Sequence, residues 1–142
     1  MENYEFERDL QDISHYNKRV LTFMVCYKLV KCFENGMRCP TSTSLSHELE
    51  IPIRMVNEIL NDLIECGMVS EIVTENSQEN GYQPAVDINK ISVSFLYQKL
   101  EHKGNANLSF AQTNEAIRLQ GISASLLHEI EKSESNILLK DI

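Results

Sequence analysis

Cysteines are the residues of this 142-residue chain best suited to holding a metal, and the four of them stand at positions 26, 32, 39 and 66. Cys26 and Cys32 are six residues apart on a predicted helix, where six steps of about 100° place their side chains on different faces. No CxxC pair is present, so the spacing does not indicate a zinc site. We expect free thiols in a reducing compartment.

Acidic and imidazole side chains do not form a recognisable catalytic pattern either. The four histidines are scattered without HxxxH spacing, and no P-loop, GxGxxG, HExxH or EF-hand motif occurs. Glu58 and Asp62 are four residues apart on a predicted helix and could approach a metal ion, but exposed carboxylates at this spacing usually face water. We therefore expect a non-catalytic protein with no bound metal or cofactor.

The composition is that of a globular domain, with 42% apolar and 24% charged residues. No apolar run approaches the roughly 18 residues that cross a bilayer, and the first five residues are too polar and acidic for a secretory signal. The net charge of −8 disfavours strong generic attraction to nucleic-acid phosphates.

Helical periodicity accounts for the first 35 residues. Apolar residues at i, i+4 and i+7 predict a short helix over 4–13. A long amphipathic helix follows from Tyr16 to Asn35, begins after a Ser14 cap and ends before Gly36. Its predicted buried stripe contains Val20, Phe23, Met24, Tyr27, Val30 and Phe33.

A pair of helices and a hairpin come next. The spacing predicts a short helix over 43–49, capped by Ser42 or Thr43, then a turn and a second helix over 52–66. The second helix buries Val56, Ile59, Leu60 and Leu63. The residues from 68 to 86 then switch to strand patterning on either side of a polar loop. This order predicts a mainly α chain with a small two-stranded β wing: a winged helix-turn-helix (helix-turn-helix 42–66, wing 68–86) with extra N- and C-terminal helices.

The last third of the chain is again helical. Ser92 is expected to cap a helix that runs to about His102, and a weaker helical pattern from 109 to 132 is interrupted by Gly121. The apolar ending over 136–142 should dock on the domain or on a neighbour. We expect a winged-helix domain over 1–104 and a helical extension over 105–142 that packs on it or on a partner, with a homodimer through the last helix as one option.

Several segments resemble two known winged-helix groups. The run from Ile51 to Leu63, Cys66-Gly67-Met68-Val69 and Gly81-Tyr82-Gln83-Pro84-Ala85 are similar to the bacterial repressors of the IscR and CymR type. A closer resemblance, over nearly the whole chain, is to the cytosolic C-terminal domain of YihY/BrkB membrane proteins, also called ribonuclease BN-like. That resemblance implies a fragment on the cytoplasmic side of the inner membrane, with membrane spans that precede Glu2.

The repressor resemblance does not bring an iron–sulfur cluster with it. The iron–sulfur repressors of that group carry three closely spaced cysteines after the wing, whereas no cysteine follows Cys66 here. Such clusters need thiolate ligands, so none is expected.

Charge weighs against DNA binding in this sequence. Residues 41–84 carry eight acids and one base, Arg54, a net charge of −7. On the second helix, Arg54, Asn57 and Asn61 could read base edges, whereas Glu58, Asp62 and Glu65 would meet phosphates with no cation nearby. We expect the lysines of the long helix to lie across the domain from this surface.

The wing is also acidic where a DNA-binding protein would need positive charge. Its tip holds Glu75 and Glu79, where a DNA-binding wing usually offers a base, and Tyr82 is expected at the edge of the core rather than as a stacking platform.

The main hypothesis from sequence is therefore a non-catalytic interaction or regulatory module. Its acidic face would dock on a basic partner, either the membrane part of its own protein or another protein. The alternative is a winged-helix transcription regulator of the IscR/CymR type that lacks the cluster.

Overall fold

The computed structural model describes residues 12–74, 78–104 and 111–142. Most of the helix predicted over 4–13, and Glu75 of the wing, lie outside these residues. Within them the elements are α1 (His15–Glu34), α2 (Ser42–Leu49), α3 (Ile53–Glu65), β1 (Val69–Ile72), β2 (Gly81–Pro84), α4 (Val93–Glu101), α5 (Asn114–Glu131) and a C-terminal 3-10 turn (Leu139–Asp141). The predicted fold class, mainly helical with a two-stranded antiparallel sheet in a winged helix-turn-helix, is confirmed.

Helix α1 begins and ends where its sequence predicts. The Ser14 side chain accepts a hydrogen bond from the backbone N–H of Asn17 at 3.1 Å, which satisfies one of the free donors of the first turn. At the other end Gly36 adopts a left-handed φ of +65°, and the N–H of Met37 bonds back to the carbonyl of Cys32 at 2.9 Å. This is the Schellman arrangement, which a glycine adopts without strain.

The predicted buried stripe of α1 is right at Val30, which is 0% exposed, and wrong at three of its six positions. Met24, expected in the core, is 37% exposed, Val20 is 42% exposed and Phe33 is 52% exposed. The face that packs inward instead carries Thr22, Val25, Cys26, Leu29, Val30 and Cys32. Small polar and thiol side chains form half of this face, so a search for large apolar residues selects the wrong side of the helix. The hydroxyl of Thr22 donates to the carbonyl of Lys18 at 2.8 Å, which makes its burial inexpensive.

Helices α2 and α3 form the expected pair. Thr41, rather than Ser42 or Thr43, caps α2, and it exchanges side-chain and backbone hydrogen bonds with Ser44. Glu50 takes a left-handed φ of +56° in the turn, and Pro52 precedes the first residue of α3. The predicted core stripe of α3 is confirmed, since Val56, Ile59, Leu60 and Leu63 are all 0–1% exposed.

The wing is an antiparallel hairpin that is anchored on both sides. Val69 pairs with Pro84 and Ile72 with Gly81, and Ala85 donates to the carbonyl of Met68 at 2.9 Å, just beyond the point where Pro84 lacks an N–H. On the outer edge of β2, Thr41 forms an isolated bridge with Gly81. The loop before α2 therefore holds the base of the wing against the helices.

The C-terminal residues return to the core. Helix α5 runs without a break through Gly121, since helical backbone tolerates an isolated glycine. After it, Val93 donates to the carbonyl of Ile137 at 3.0 Å, and Leu139 donates to that of Ile91 at 2.9 Å. Leu139 is 1% exposed and belongs to the main core cluster. The apolar ending thus docks on its own domain.

Candidate nucleic-acid interface

Three uncharged or basic side chains share the outward side of α3. Arg54, Asn57 and Asn61 are exposed, and at 100° per residue they project within about 60° of one another, opposite the buried stripe. Within the described ranges, none of these three side chains makes a hydrogen bond or ion pair. Guanidinium and amide groups with free donors and acceptors are the groups that recognise base edges in a DNA groove.

The acidic residues of α3 share its outward side, at about 20–80° from Arg54 around the helix, and they do have cations nearby. The ammonium Nζ of Lys18, in the first turn of α1, is 2.7 Å from Glu58 Oε1 and 3.3 Å from Asp62 Oδ2. Lys103, just after α4, lies 2.9 Å from Asp62 Oδ1 and 3.8 Å from Glu65 Oε2. The expectation that these carboxylates lack a cation, with the lysines across the domain, is wrong. Lys18 and Lys103 are about 40 positions from their partners, so spacing along the sequence gives no sign of the pairs.

These ion pairs also raise the pKa values of the two lysines. Partial burial lowers the pKa of Lys18, but the hydrogen bonds and charges of Glu58 and Asp62 outweigh it and raise the pKa overall. The hydrogen bond to Asp62 raises the pKa of Lys103. Both side chains are about one-third exposed, so the pairs are partly screened and we expect them to organise charge more than to stabilise the fold.

A third lysine acts in the same way on α2. Lys28 of α1 reaches Glu48 Oε2 at 3.0 Å. When Lys18, Lys28 and Lys103 are counted with residues 41–84, the net charge of this part changes from −7 to −4. The surface around the helix pair is therefore less acidic than its own stretch of sequence indicates.

Residues of the wing also form hydrogen bonds with their neighbours. Glu79 accepts a hydrogen bond from the hydroxyl of Thr43, which holds the pKa of Glu79 below its ordinary value and ties it to the first turn of α2. Glu71 accepts from the side-chain amide of Asn80 at 2.6 Å. Tyr82 is half-buried against the core, and its backbone N–H donates to the carbonyl of Pro40 at 2.9 Å. Glu75 falls outside the described residues.

The described residues form neither a metal centre of three or more His, Cys, Asp or Glu ligands nor a membrane-spanning helix. In the ranges 12–74, 78–104 and 111–142, no three His, Cys, Asp or Glu side chains come together to hold a metal ion. Among the helices of those ranges, none has the length and apolar character to cross a membrane.

Helix α5 presents an unexpected surface. None of its 18 residues is buried. Its large apolar side chains at i, i+3, i+7 and i+11 form one exposed stripe, with 65% exposure at Leu119, 48% at Ile122, 64% at Leu126 and 38% at Ile130. The side turned to α4 is mostly polar and includes a 2.6 Å hydrogen bond from Gln98 Nε2 to Glu131 Oε1. A helix that turns its polar side inward and its apolar side to water has an unpaired face.

Comparison with known proteins gives structural neighbours only. No family model matches the chain, and no curated protein matches it. Among solved structures, CymR of Staphylococcus aureus aligns with a TM-score of 0.54 at 14% identity, over 87% of this chain and 93% of that one. IscR of T. potens aligns with a TM-score of 0.59 at 14% identity, over 93% of this chain and 87% of that one.

At such low identity these similarities establish the fold: this chain is built like winged-helix regulators of the IscR and CymR type. The sequence-based preference for a YihY/BrkB membrane-protein domain finds no support in them, nor do a membrane partner and a location at the inner membrane.

Proposed function

We propose that this chain is a DNA-binding transcription regulator of the winged-helix class, with the outward side of α3 as its recognition surface. The observation that carries the proposal is that only some of the outward side chains of α3 are paired. Lys18 and Lys103 form ion pairs with the acids of this helix. Arg54, Asn57 and Asn61 stay exposed, with no hydrogen bond or ion pair among the described residues. The similarity in fold to IscR and CymR agrees with this alternative rather than with a membrane-protein domain.

The roles of the three side chains follow from their chemistry. A guanidinium matches the O6 and N7 acceptors of guanine, and a carboxamide matches N6 and N7 of adenine. We assign base contacts to Arg54, Asn57 and Asn61 on this basis. Glu58 and Asp62, held by lysines, are placed beside the contact rather than in it, and the wing with Glu79 and Tyr82 would lie along the neighbouring backbone.

The proposal includes a dimer, in which a second copy of the chain covers the exposed apolar surfaces of the first. The α5 stripe defined by Leu119, Ile122, Leu126 and Ile130 extends over a helix of about 27 Å. Helix α1 exposes a second apolar row, with 73% exposure at Tyr16, 42% at Val20 and 37% at Met24. A two-fold dimer presents the same surface from both copies, so exposed faces of one chain can cover each other. Two copies would read two half-sites about one helical turn apart.

The DNA proposal is tested by selection from a random duplex library, because the target sequence is unknown. We expect an enriched two-fold symmetric site, bound more weakly as salt rises from about 50 to 200 mM. Arg54→Ala should cost about 1–3 kcal/mol of binding free energy and relax the preference at one position. Lys132→Ala, at the end of α5, removes a positive charge elsewhere and serves as the control.

Two results would argue against it. If no sequence is enriched, or if Arg54→Ala and Lys132→Ala have equal effects, α3 does not read DNA. The acidic surface would then favour a basic protein partner, as in the main hypothesis from sequence.

The dimer is tested separately by light scattering coupled to size-exclusion chromatography. Leu126→Glu places a charge in the α5 stripe and should give monomers. Ser125→Glu adds the same charge about 100° away on the helix and should leave the dimer intact. A monomeric wild-type protein at micromolar concentration, or equal effects of the two variants, would contradict the dimer.

A further inference from the structure

Three sulfur-containing side chains line one cavity at the base of the wing. The cavity has a volume of about 250 Å³ and lies between the end of α1, the following loop and β2. Cys32 comes from α1, and Met37 and Cys39 come from the loop. The remaining lining residues are Leu29, Phe33, Gly36, Pro40, Tyr82 and Gln83. No ionised side chain is among them, so the cavity combines sulfur donors with an apolar wall.

The two thiols share this cavity and interact electrostatically. Burial is the main cause that raises the pKa of the Cys32 thiol; Lys28 lowers it in part, and Glu48 and Cys39 raise it further. Cys32 is 6% exposed and Cys39 is half-buried, so both are sheltered but reachable through the cavity. Neither is in a disulfide. Met37, by contrast, is 61% exposed and carries a flexible thioether.

We propose that Cys32, Cys39 and Met37 form a binding site for a soft monovalent metal ion, Cu(I). Thiolate and thioether sulfur are the ligands that select Cu(I). A hard divalent ion would need carboxylate or carbonyl oxygens, and a structural zinc site would need four thiolate or imidazole ligands, which this cavity does not offer. Met37 lines the same cavity as the two cysteines and adds a third sulfur.

The binding step involves no change of oxidation state. One Cu(I) replaces the protons of two thiols, which gives a bis-thiolate complex of charge −1 and releases two protons to solvent. The thioether of Met37 adds as a neutral donor.

A metal ion bound in this cavity would affect the wing, because Cys39 contacts β2. The Sγ of Cys39 lies 3.8 Å from the side-chain oxygen of Gln83 on β2. A Cβ placed on Gly81 would stand 2.8 Å from the Cβ of Cys39, so the strand passes directly over this residue. The next residue, Pro40, accepts the 2.9 Å hydrogen bond from Tyr82.

The test is a titration of the reduced, full-length protein with Cu(I) under anaerobic conditions, in competition with a chromophoric Cu(I) chelator. We expect one Cu(I) per chain, with amide NMR signals of Gly81 and Tyr82 shifting on binding. Loss of a residue that only hydrogen-bonds to a metal ligand typically weakens metal binding about 10–100-fold. Cys32→Ser and Cys39→Ser each remove a direct ligand, so each should weaken Cu(I) binding by more than about 100-fold. Met37→Leu should have a smaller effect, and Cys66→Ser, outside the cavity, should have none.

Binding that survives the double variant Cys32→Ser/Cys39→Ser, or that Cys66→Ser abolishes, would overturn the proposal. So would a wild-type protein that takes no Cu(I) from the chelator. A measurement on the wild type guards against variants that fail to fold: Cu(I) should protect Cys39 from alkylation by iodoacetamide, read by mass spectrometry. Unchanged alkylation of Cys39 at saturating Cu(I) would also refute the site.

Discussion

Two valines five residues apart on α1 offer a direct test of which side of this helix faces the core. Val25 is 0% exposed, whereas Val20, which the apolar pattern favours, is 42% exposed. Substitution by alanine removes the same atoms at both positions. It also improves helix propensity by a few tenths of a kcal/mol at both. The difference between the two variants therefore reports packing alone.

The magnitude follows from burial. Val25→Ala removes two methyl-sized groups from the core, about 1.6 kcal/mol of transfer free energy, and the void left behind raises the cost to about 2–3 kcal/mol. Val20→Ala should cost less than about 0.5 kcal/mol, as expected for a surface position. We expect the free energies of unfolding of the two variants to differ by about 2 kcal/mol.

The assay is urea denaturation followed by circular dichroism, with the m-value checked for constancy. Each variant is measured at two protein concentrations, because a dimer that covers Val20 would make its cost rise with concentration. If Val20→Ala is as destabilising as Val25→Ala at both concentrations, α1 packs with its other side inward and the assignment of its faces is wrong.

Three further outcomes are expected. Leu63→Ala, at a position that is 0% exposed, should lower the free energy of unfolding by about 2–5 kcal/mol in a denaturant titration, and a loss below about 0.5 kcal/mol would show that α3 is turned. Thr41→Ala removes the cap of α2 and should cost about 1 kcal/mol in the same assay, and an unchanged midpoint would contradict the capping role. Burial, with a smaller contribution from Cys66, raises the pKa of Cys26 from 9.0 to about 12. The unfolded thiol therefore ionises first, and stability should fall more steeply between pH 9 and 12 in the wild type than in Cys26→Ala; equal slopes would argue against a buried thiol.

The locations of most elements could be predicted from the sequence. Ser14, Ser92 and Gly36 mark helix ends through hydrogen bonds made within a few residues, and the strand pattern after Gly67 marks the wing. The stripe of α3 is also readable, because Val56, Ile59, Leu60 and Leu63 are large, apolar and regularly spaced. These features depend on neighbours along the chain, and so they are encoded locally.

The inward face of α1 could not be predicted in this way. Apolar residues occur around most of its circumference, and its buried side includes Thr22 and Cys26 while Met24 faces out. Which side is buried depends on the shape of the surface that α3 presents to it. That surface exists only once both helices are packed.

The charge at the candidate interface also depends partly on the sequence and partly on the tertiary structure. The amino-acid sequence by itself determines that residues 41–84 carry a net charge of −7 and that Arg54, Asn57 and Asn61 share one side of a helix. Only the tertiary structure decides that Lys18 and Lys103 stand beside Glu58 and Asp62. Electrostatic energy depends on distance in space rather than on separation along the chain, so the charge of a segment does not establish the charge of the surface to which it contributes.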